Sequence, residues 1–213
     1  MRSRRERLSR ARLYLVCGEQ TDEFLHATLR GGVDVVQLRM KDRPDAAILA
    51  ASRRFRAVCR EHGALFVIND RPDLVAPAGA DGVHLGQDDA PVAQARAAIG
   101  DERLIGLSTH SPDQIDGAAG VDYIGVGPVH ETPTKPGRPA VGLELVRYAA
   151  THARLPFFAI GGISVANAAA VRDAGAGRIA VVRALTEAPD PEAASRALRE
   201  AVESGQEARV GAA

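Results

Sequence analysis

The sequence predicts an α/β protein built as a single (β/α)8 TIM barrel. Three observations carry this. Short β-rich runs alternate with longer helical stretches eight times along the chain, which is the signature of a parallel sheet covered by helices. The 213 residues suit one closed barrel, a fold that commonly takes ~200–250. No Pro/Gly/Ser-rich linker and no low-complexity block divides them, so residues 12–205 are expected to form the barrel, with residues 1–11 a basic, flexible arm and residues 206–213 a disordered tail.

The expected strands, in order, are Leu13–Cys17, Val33–Met40, Leu65–Asn69, Gly82–Leu85, Leu104–Ser108, Tyr123–Val126, Phe157–Ile160 and Ile179–Val182. The helices between and after them are expected near Thr21–Leu29, Pro44–His62, Pro72–Ala76, Pro91–Ala98, Pro112–Ala118, Leu143–Thr151, Val165–Asp173 and Pro191–Val202. Pro44, Pro91 and Pro112 sit where a first helical residue needs no N–H. Ser111 and Ser164 are candidate N-caps. Gly63 and Gly175 suit helix exits.

Composition narrows the function. Lys+Arg and Asp+Glu are 27 each, so the formal net charge is zero and nothing steers the whole molecule toward nucleic acid. Aromatic residues are 4% with no Trp, which argues against a base-stacking platform. The local exception is the cluster Arg2, Arg4, Arg5, Arg7, Arg10 and Arg12, read as a solvated, frayed terminus. No stretch approaches the ~20 apolar residues of a membrane span. Cys17 and Cys59 read as two buried thiols of a cytoplasmic protein.

In a closed barrel, polar residues at the C-terminal ends of strands mark the active site. On the second strand, Val33, Val35, Gln37, Arg39 and Lys41 share one face, and Val36, Leu38 and Met40 share the other. Gln37, Arg39 and Lys41 therefore converge on the mouth, where two cations and an amide suit a phosphorylated ligand. Asp70 after the third strand and Asp88 or Asp89 after the fourth could share Mg2+, which favours one or two carboxylates plus substrate phosphates; Asp70 could instead cap a helix. His84 reads as a satisfied strand residue. Ser108 ends the fifth strand, and no G-x-S-x-G elbow makes it a nucleophile. The stretch from Gly127 to Gly137 is the longest polar insertion on this face, with Thr132, Thr134 and Lys135 able to hold anions. Gly161-Gly162 and Val182-Arg183 end the last two strands, the usual barrel phosphate site.

Taken together, Gln37-Leu38-Arg39-Met40-Lys41, Ile68-Asn69-Asp70, Gly82 to Asp89, Gly125-Val126-Gly127-Pro128, Thr132-Pro133-Thr134-Lys135 and Ala159 to Ile163 resemble the thiamine phosphate synthase family, in family order and across nearly the whole barrel. The resemblance implies that a pyrimidine diphosphate and a thiazole phosphate are joined with release of diphosphate, assisted by Mg2+. It implies that Gln37, Leu38, Arg39, Met40, Lys41, Asn69, Ser108 and Lys135 bind the pyrimidine partner, with Lys135, Arg39, Lys41 and Ser108 as the catalytic set. Asp70 and Asp89 would hold the metal. Thr132, Pro133, Thr134, Gly162, Val182 and Arg183 would bind the thiazole phosphate, although the family often has serine where Arg183 stands. The resemblance also suggests a homodimer. Two rivals are a thiazole tautomerase-like isomerase on the same barrel and a phosphate-binding barrel without turnover.

Overall fold

The computed structural model describes residues 2–131 and 139–204. Within them eight parallel strands close into a barrel in sequence order, β1 pairing with β8. The strands are β1 (Leu13–Cys17), β2 (Val35–Leu38), β3 (Leu65–Asn69), β4 (Gly82–Leu85), β5 (Leu104–Thr109), β6 (Tyr123–Val126), β7 (Phe157–Ile160) and β8 (Ile179–Val181). The helices are α1 (Arg4–Arg10), α2 (Asp22–Arg30), α3 (Asp45–Glu61), α4 (Pro72–Ala78), α5 (Val92–Ile99), α6 (Pro112–Asp116), α7 (Gly142–His152), α8 (Ala168–Asp173), α9 (Arg183–Thr186) and α10 (Pro191–Glu203).

Strand alternation divides the apolar residues into two cores. The larger lies between the barrel and its helices and includes Leu15, Val36, Leu38, Phe55, Phe66, Ile68, Val83 and Leu198. The smaller fills the barrel itself with Tyr14, Val16, Val35, Leu65, Val67, Leu104, Tyr123, Phe158 and Ala180. Leu8 of α1 belongs to this inner cluster, so α1 stoppers the end of the barrel opposite the strand C-termini.

That corrects the expectation for residues 1–11. The segment is a helix with a capping box: Glu6 N donates to Ser3 Oγ and Ser3 N donates to Glu6 Oε2. Three of its arginines are engaged: Arg4 Nε donates to Asp81 at 2.9 Å, Arg5 Nε to Asp122 at 2.8 Å, and Arg7 to the carbonyl of Ala64.

Smaller corrections concern helix starts. Pro44 and Pro91 are N-caps with extended ψ rather than first helical residues; Pro112 is helical, capped by Ser111, which accepts from Gln114 N. Ser164 caps no helix: its N–H donates to Asn167 Oδ1, and α8 begins only at Ala168, because the backbone first turns through residues 165–167. Val33 packs in the outer core rather than facing inward. Gly63 and Gly175 do follow helices with positive φ, 68° and 110°. The short α9 was not anticipated. Cys17 and Cys59 are both free and buried. No helix among the described residues is long and apolar enough to cross a membrane.

Candidate active site

At the C-terminal mouth lies a cavity of 310 Å³ whose walls include Gln37, Arg39, Asn69, His84, Ser108 and Gly162, with Val182 and Arg183 at one side. The register explains the convergence: Gln37 on β2 stands level with Val67, Asn69 on β3 with His84, and His84 on β4 with Gly106. Inward-facing positions of neighbouring strands thus meet in layers, apolar below and polar above. Gln37 is buried and donates from Nε2 to Asn69 Oδ1 at 2.7 Å. Arg39 lines the cavity just past the end of β2, where its backbone N–H still donates to Cys17 O. Leu38 and Met40, expected with the pyrimidine-binding set, point the other way; their side chains belong to the outer core.

Beside this wall stand Lys41, Asp70 and Asp89. Lys41 Nζ is 2.9 Å from Asp70 Oδ2. Asp70 is not a helix cap; Arg71 occupies that position of α4. Asp70 itself has a φ of 59°, a left-handed conformation that only short polar side chains adopt readily. Arg71 pairs with both Asp45 and Asp73, at 2.7 and 2.6 Å, tying the start of α3 to the loop after β3. Asp89 accepts from Gly86 N at 2.6 Å. Burial first, and then hydrogen bonding with Asp70, push the Asp89 carboxyl above the ordinary carboxylate range. Two carboxylates in contact repel one another when both are charged, so a cation between them is favoured. Among the described residues no group of three or more His, Cys, Asp or Glu side chains gathers as a metal cluster. A dicarboxylate that leaves its remaining positions to water and phosphate oxygens is what Mg2+ accepts, so the donor set fits.

On the opposite side of the mouth, Gly161 and Gly162 have φ of 109° and 61°. A Cβ on Gly161 would stand 2.5 Å from Pro128 Cα, and one on Gly162 2.7 Å from His130 Cβ, so both glycines are required sterically. Asn167, which the sequence reading missed, pins this turn: its Nδ2 donates to Gly162 O at 2.9 Å and its Oδ1 accepts from Ser164 N. Arg183 opens α9, and its Nε lies 3.3 Å from Glu187 Oε2 in an exposed pair. Thr132, Pro133, Thr134 and Lys135 lie outside the described residues.

Also missed were Tyr14 and Tyr123 beneath the cavity, whereas His84 is the satisfied strand residue expected. Tyr14, Tyr123 and His84 link the Gln37–Asn69 pair to Ser108 through hydrogen bonds of 2.9–3.2 Å. In sequence, an aromatic residue in a strand signals only core.

The fold and its mouth define a (β/α)8 barrel with a polar, small-molecule-sized cavity at the strand C-termini. Comparison with known proteins narrows that class. The family described as thiamine monophosphate synthase matches residues 13–185. A thiamine-phosphate synthase of Arthrobacter sp. (strain FB24) is 48% identical, over 93% of this chain and 97% of its own. One from Thermosynechococcus vestitus is 45% identical over 97% of this chain, which spans 60% of that longer relative. The solved structure of a thiamine phosphate pyrophosphorylase from Pyrococcus furiosus superposes with a TM-score of 0.84 at 33% identity, covering 94% of this chain and 98% of that one. The chain belongs to the thiamine monophosphate synthase family, and its activity is a transferase reaction of thiamine biosynthesis.

Proposed function

We propose that the cavity joins a (diphosphooxymethyl)pyrimidine to a thiazole phosphate, or its carboxylated form, giving thiamine phosphate and diphosphate. The observation that carries this reading is the arrangement of two anion-handling walls on one mouth. Gln37, Arg39 and Asn69 stand beside the Lys41–Asp70–Asp89 group on one wall. The Gly161-Gly162 turn with Val182 and Arg183 forms the other. A pair of phosphorylated partners matches both.

The chemistry asks little of a nucleophile or a strong base. An aminopyrimidine delocalises positive charge from its methylene carbon, so the carbon–oxygen bond to diphosphate can break early, and the thiazole nitrogen then attacks. Arg39 and Lys41 offset charge growing on the departing diphosphate oxygens. Gln37 and Asn69 orient the pyrimidine end. Mg2+, held by Asp70 and Asp89, would supply further neutralisation of the leaving group. Lys135 and Ser108 contact the pyrimidine partner in this reading, and Thr132, Pro133 and Thr134 line the thiazole side. Backbone N–H groups at Gly162, Val182 and Arg183 receive the thiazole phosphate, with Arg183 adding charge where serine is frequent in the family.

The test is release of diphosphate by the purified protein with each substrate alone and both together, with and without Mg2+. Release coupled to thiamine phosphate only when all three are present supports the reading. Folded protein that exchanges thiazole tautomers instead, or binds the phosphates without turnover, refutes it.

A further inference from the structure

Beneath the cavity runs a chain of hydrogen bonds to which one side chain from each of β1 to β6 contributes. Gln37 Nε2 donates to Asn69 Oδ1 at 2.7 Å, and Tyr14 Oη donates to Gln37 Oε1 at 3.0 Å. Tyr14 Oη and Tyr123 Oη are 2.9 Å apart. Tyr123 Oη lies 3.2 Å from His84 Nδ1, and His84 Nε2 lies 3.0 Å from Ser108 Oγ. Both ends of the chain, Asn69 and Ser108, open on the cavity.

The chain has a direction. A phenol has one proton to donate. Tyr14 spends its proton on Gln37, so Tyr14 Oη accepts from Tyr123. Tyr123 has then spent its own, so His84 Nδ1 must be the donor to Tyr123 Oη. With the ring proton on Nδ1, Nε2 accepts, and the Ser108 hydroxyl proton points at it. The oxygen of Ser108 then turns its lone pairs toward the cavity. At the other end, Asn69 Oδ1 is occupied by Gln37, which leaves its amide N–H groups for the ligand.

The packing holds this arrangement in place. Both tyrosines are fully buried, and burial pushes both phenols up, so each keeps its proton. Phe158 sits edge-on to both rings, with centroids 5.3 and 5.7 Å away, which fixes their orientation. Gly106 clears the junction: a Cβ there would stand 2.2 Å from Tyr123 Cζ and 2.5 Å from His84 Nδ1.

We propose that Tyr14 and Tyr123 are positioning residues that hold His84 with its proton on Nδ1 and thereby present Ser108 to the ligand as a hydrogen-bond acceptor and Asn69 as a donor. Such a pair recognises a heterocycle carrying an exocyclic amino group beside an acceptor atom. This recognition step rests on the cavity being the aminopyrimidine site. The relay itself does not.

The experiment uses full-length protein labelled with 15N-histidine, with the His84 signals assigned by their loss in His84→Asn. Two-bond proton–nitrogen correlations, recorded above the histidine titration range, report the tautomer. The expected wild-type pattern is Nδ1–H. In Tyr123→Phe, which keeps ring volume, the pattern moves to Nε2–H or to a mixture. Its KM for the pyrimidine diphosphate rises ~10-fold, the scale of one hydrogen bond, while the KM for the thiazole phosphate stays within about two-fold of wild type. Should Tyr123→Phe fail to fold, Tyr14→Phe removes the same source of direction and is read in the same way. An Nε2–H pattern in the wild type overturns the proposal, as does a Tyr123→Phe protein unchanged in both tautomer and KM. Where the tautomer moves as expected but no variant, wild type included, releases diphosphate, the relay stands and the reading of the cavity falls.

Discussion

Leu8→Ala tests whether the N-terminal helix is part of the fold or a decoration on it. Leu8 is 3% exposed and packs into the inner barrel core. Truncating a buried leucine to alanine costs ~2–5 kcal/mol, depending on how far the site collapses around the cavity. Here α1 is a seven-residue element at the end of the barrel, so it can settle into the space, and the lower half of that range, ~2–3 kcal/mol, is expected. For a chain of this size each kcal/mol moves Tm by ~2–4 °C, giving a fall of roughly 4–12 °C. The loss should leave kcat and both KM values unaltered, because residues at this end of a barrel act on stability and those at the other end on chemistry. Thermal unfolding followed by circular dichroism measures the first, and diphosphate release at a temperature where both proteins are folded measures the second. Arg10→Ala, on the exposed side of the same helix, serves as the control and should stay within about 0.5 kcal/mol of wild type. A Tm for Leu8→Ala within the control's range would mean that α1 does not stopper the barrel. A fall in kcat at unchanged stability would mean that the two ends are not separable.

Three further outcomes follow from the site and the core. Asp70→Asn removes one of the two carboxylates while leaving volume and the Lys41 contact nearly intact; turnover should fall by about a hundred-fold or more, with a higher Mg2+ requirement and an unchanged Tm, and a variant as active as wild type at the same Mg2+ would exclude Asp70 from the metal site. Arg39→Gln should raise the KM for the diphosphate partner ~10-fold or more, the scale of a charge-assisted hydrogen bond, and an effect confined to the thiazole phosphate would place Arg39 on the wrong wall. Burial pushes the Cys17 thiol up to about 12 and pushes Cys59 up as well. Their stabilising effect is therefore complete below the ordinary thiol range and is lost as pH rises, since the unfolded chain releases those protons first. Urea midpoints should drop between about pH 8 and pH 10, with each thiol contributing up to ~1.4 kcal/mol per pH unit above its unfolded value; identical midpoints at the two pH values would contradict the burial of both thiols.

The sequence made the barrel legible because its strands are short runs of β-branched and aromatic residues punctuated by glycines, and because Gln37, Arg39 and Lys41 break an apolar alternation on one side only. The observed β1, β3, β4, β6 and β7 keep the expected limits. The second strand is shorter than expected, Val35–Leu38, and the Asp34 side chain just before it accepts from Arg12 N and Leu13 N. The polar lining of the mouth was legible for the same reason as the barrel: polar residues sit at strand ends. The relay was not. Tyr14 and Tyr123 are 109 residues apart, and only the closure of the sheet brings β1 and β6 to face each other across the interior. Asn167 was hidden in a different way, since its role depends on the left-handed turn at Gly162 rather than on a helix that it would cap.

The arginine-rich terminus shows most clearly why charge alone misleads. Read along the chain, it is a cluster of like charges with no partner near it. In the fold, an aspartate precedes each of β2, β4 and β6, namely Asp34, Asp81 and Asp122. Each carboxylate accepts from the N–H of a residue at the start of an odd strand, Leu13, Phe66 or Ile105. The repeat clips neighbouring strands together at the closed end of the barrel, and it places three negative charges there. Each aspartate also meets arginines from outside the barrel: Arg199 at Asp34, Arg4 and Arg7 at Asp81, Arg5 and Arg96 at Asp122. The side chains of Asp81 and Asp122 are only 18% and 8% exposed, and a carboxylate removed that far from water needs a partner. The terminal arginines thus answer a requirement created by the strand clips. Arg4, Arg5 and Arg7 find within the fold the partners that the linear sequence does not place beside them.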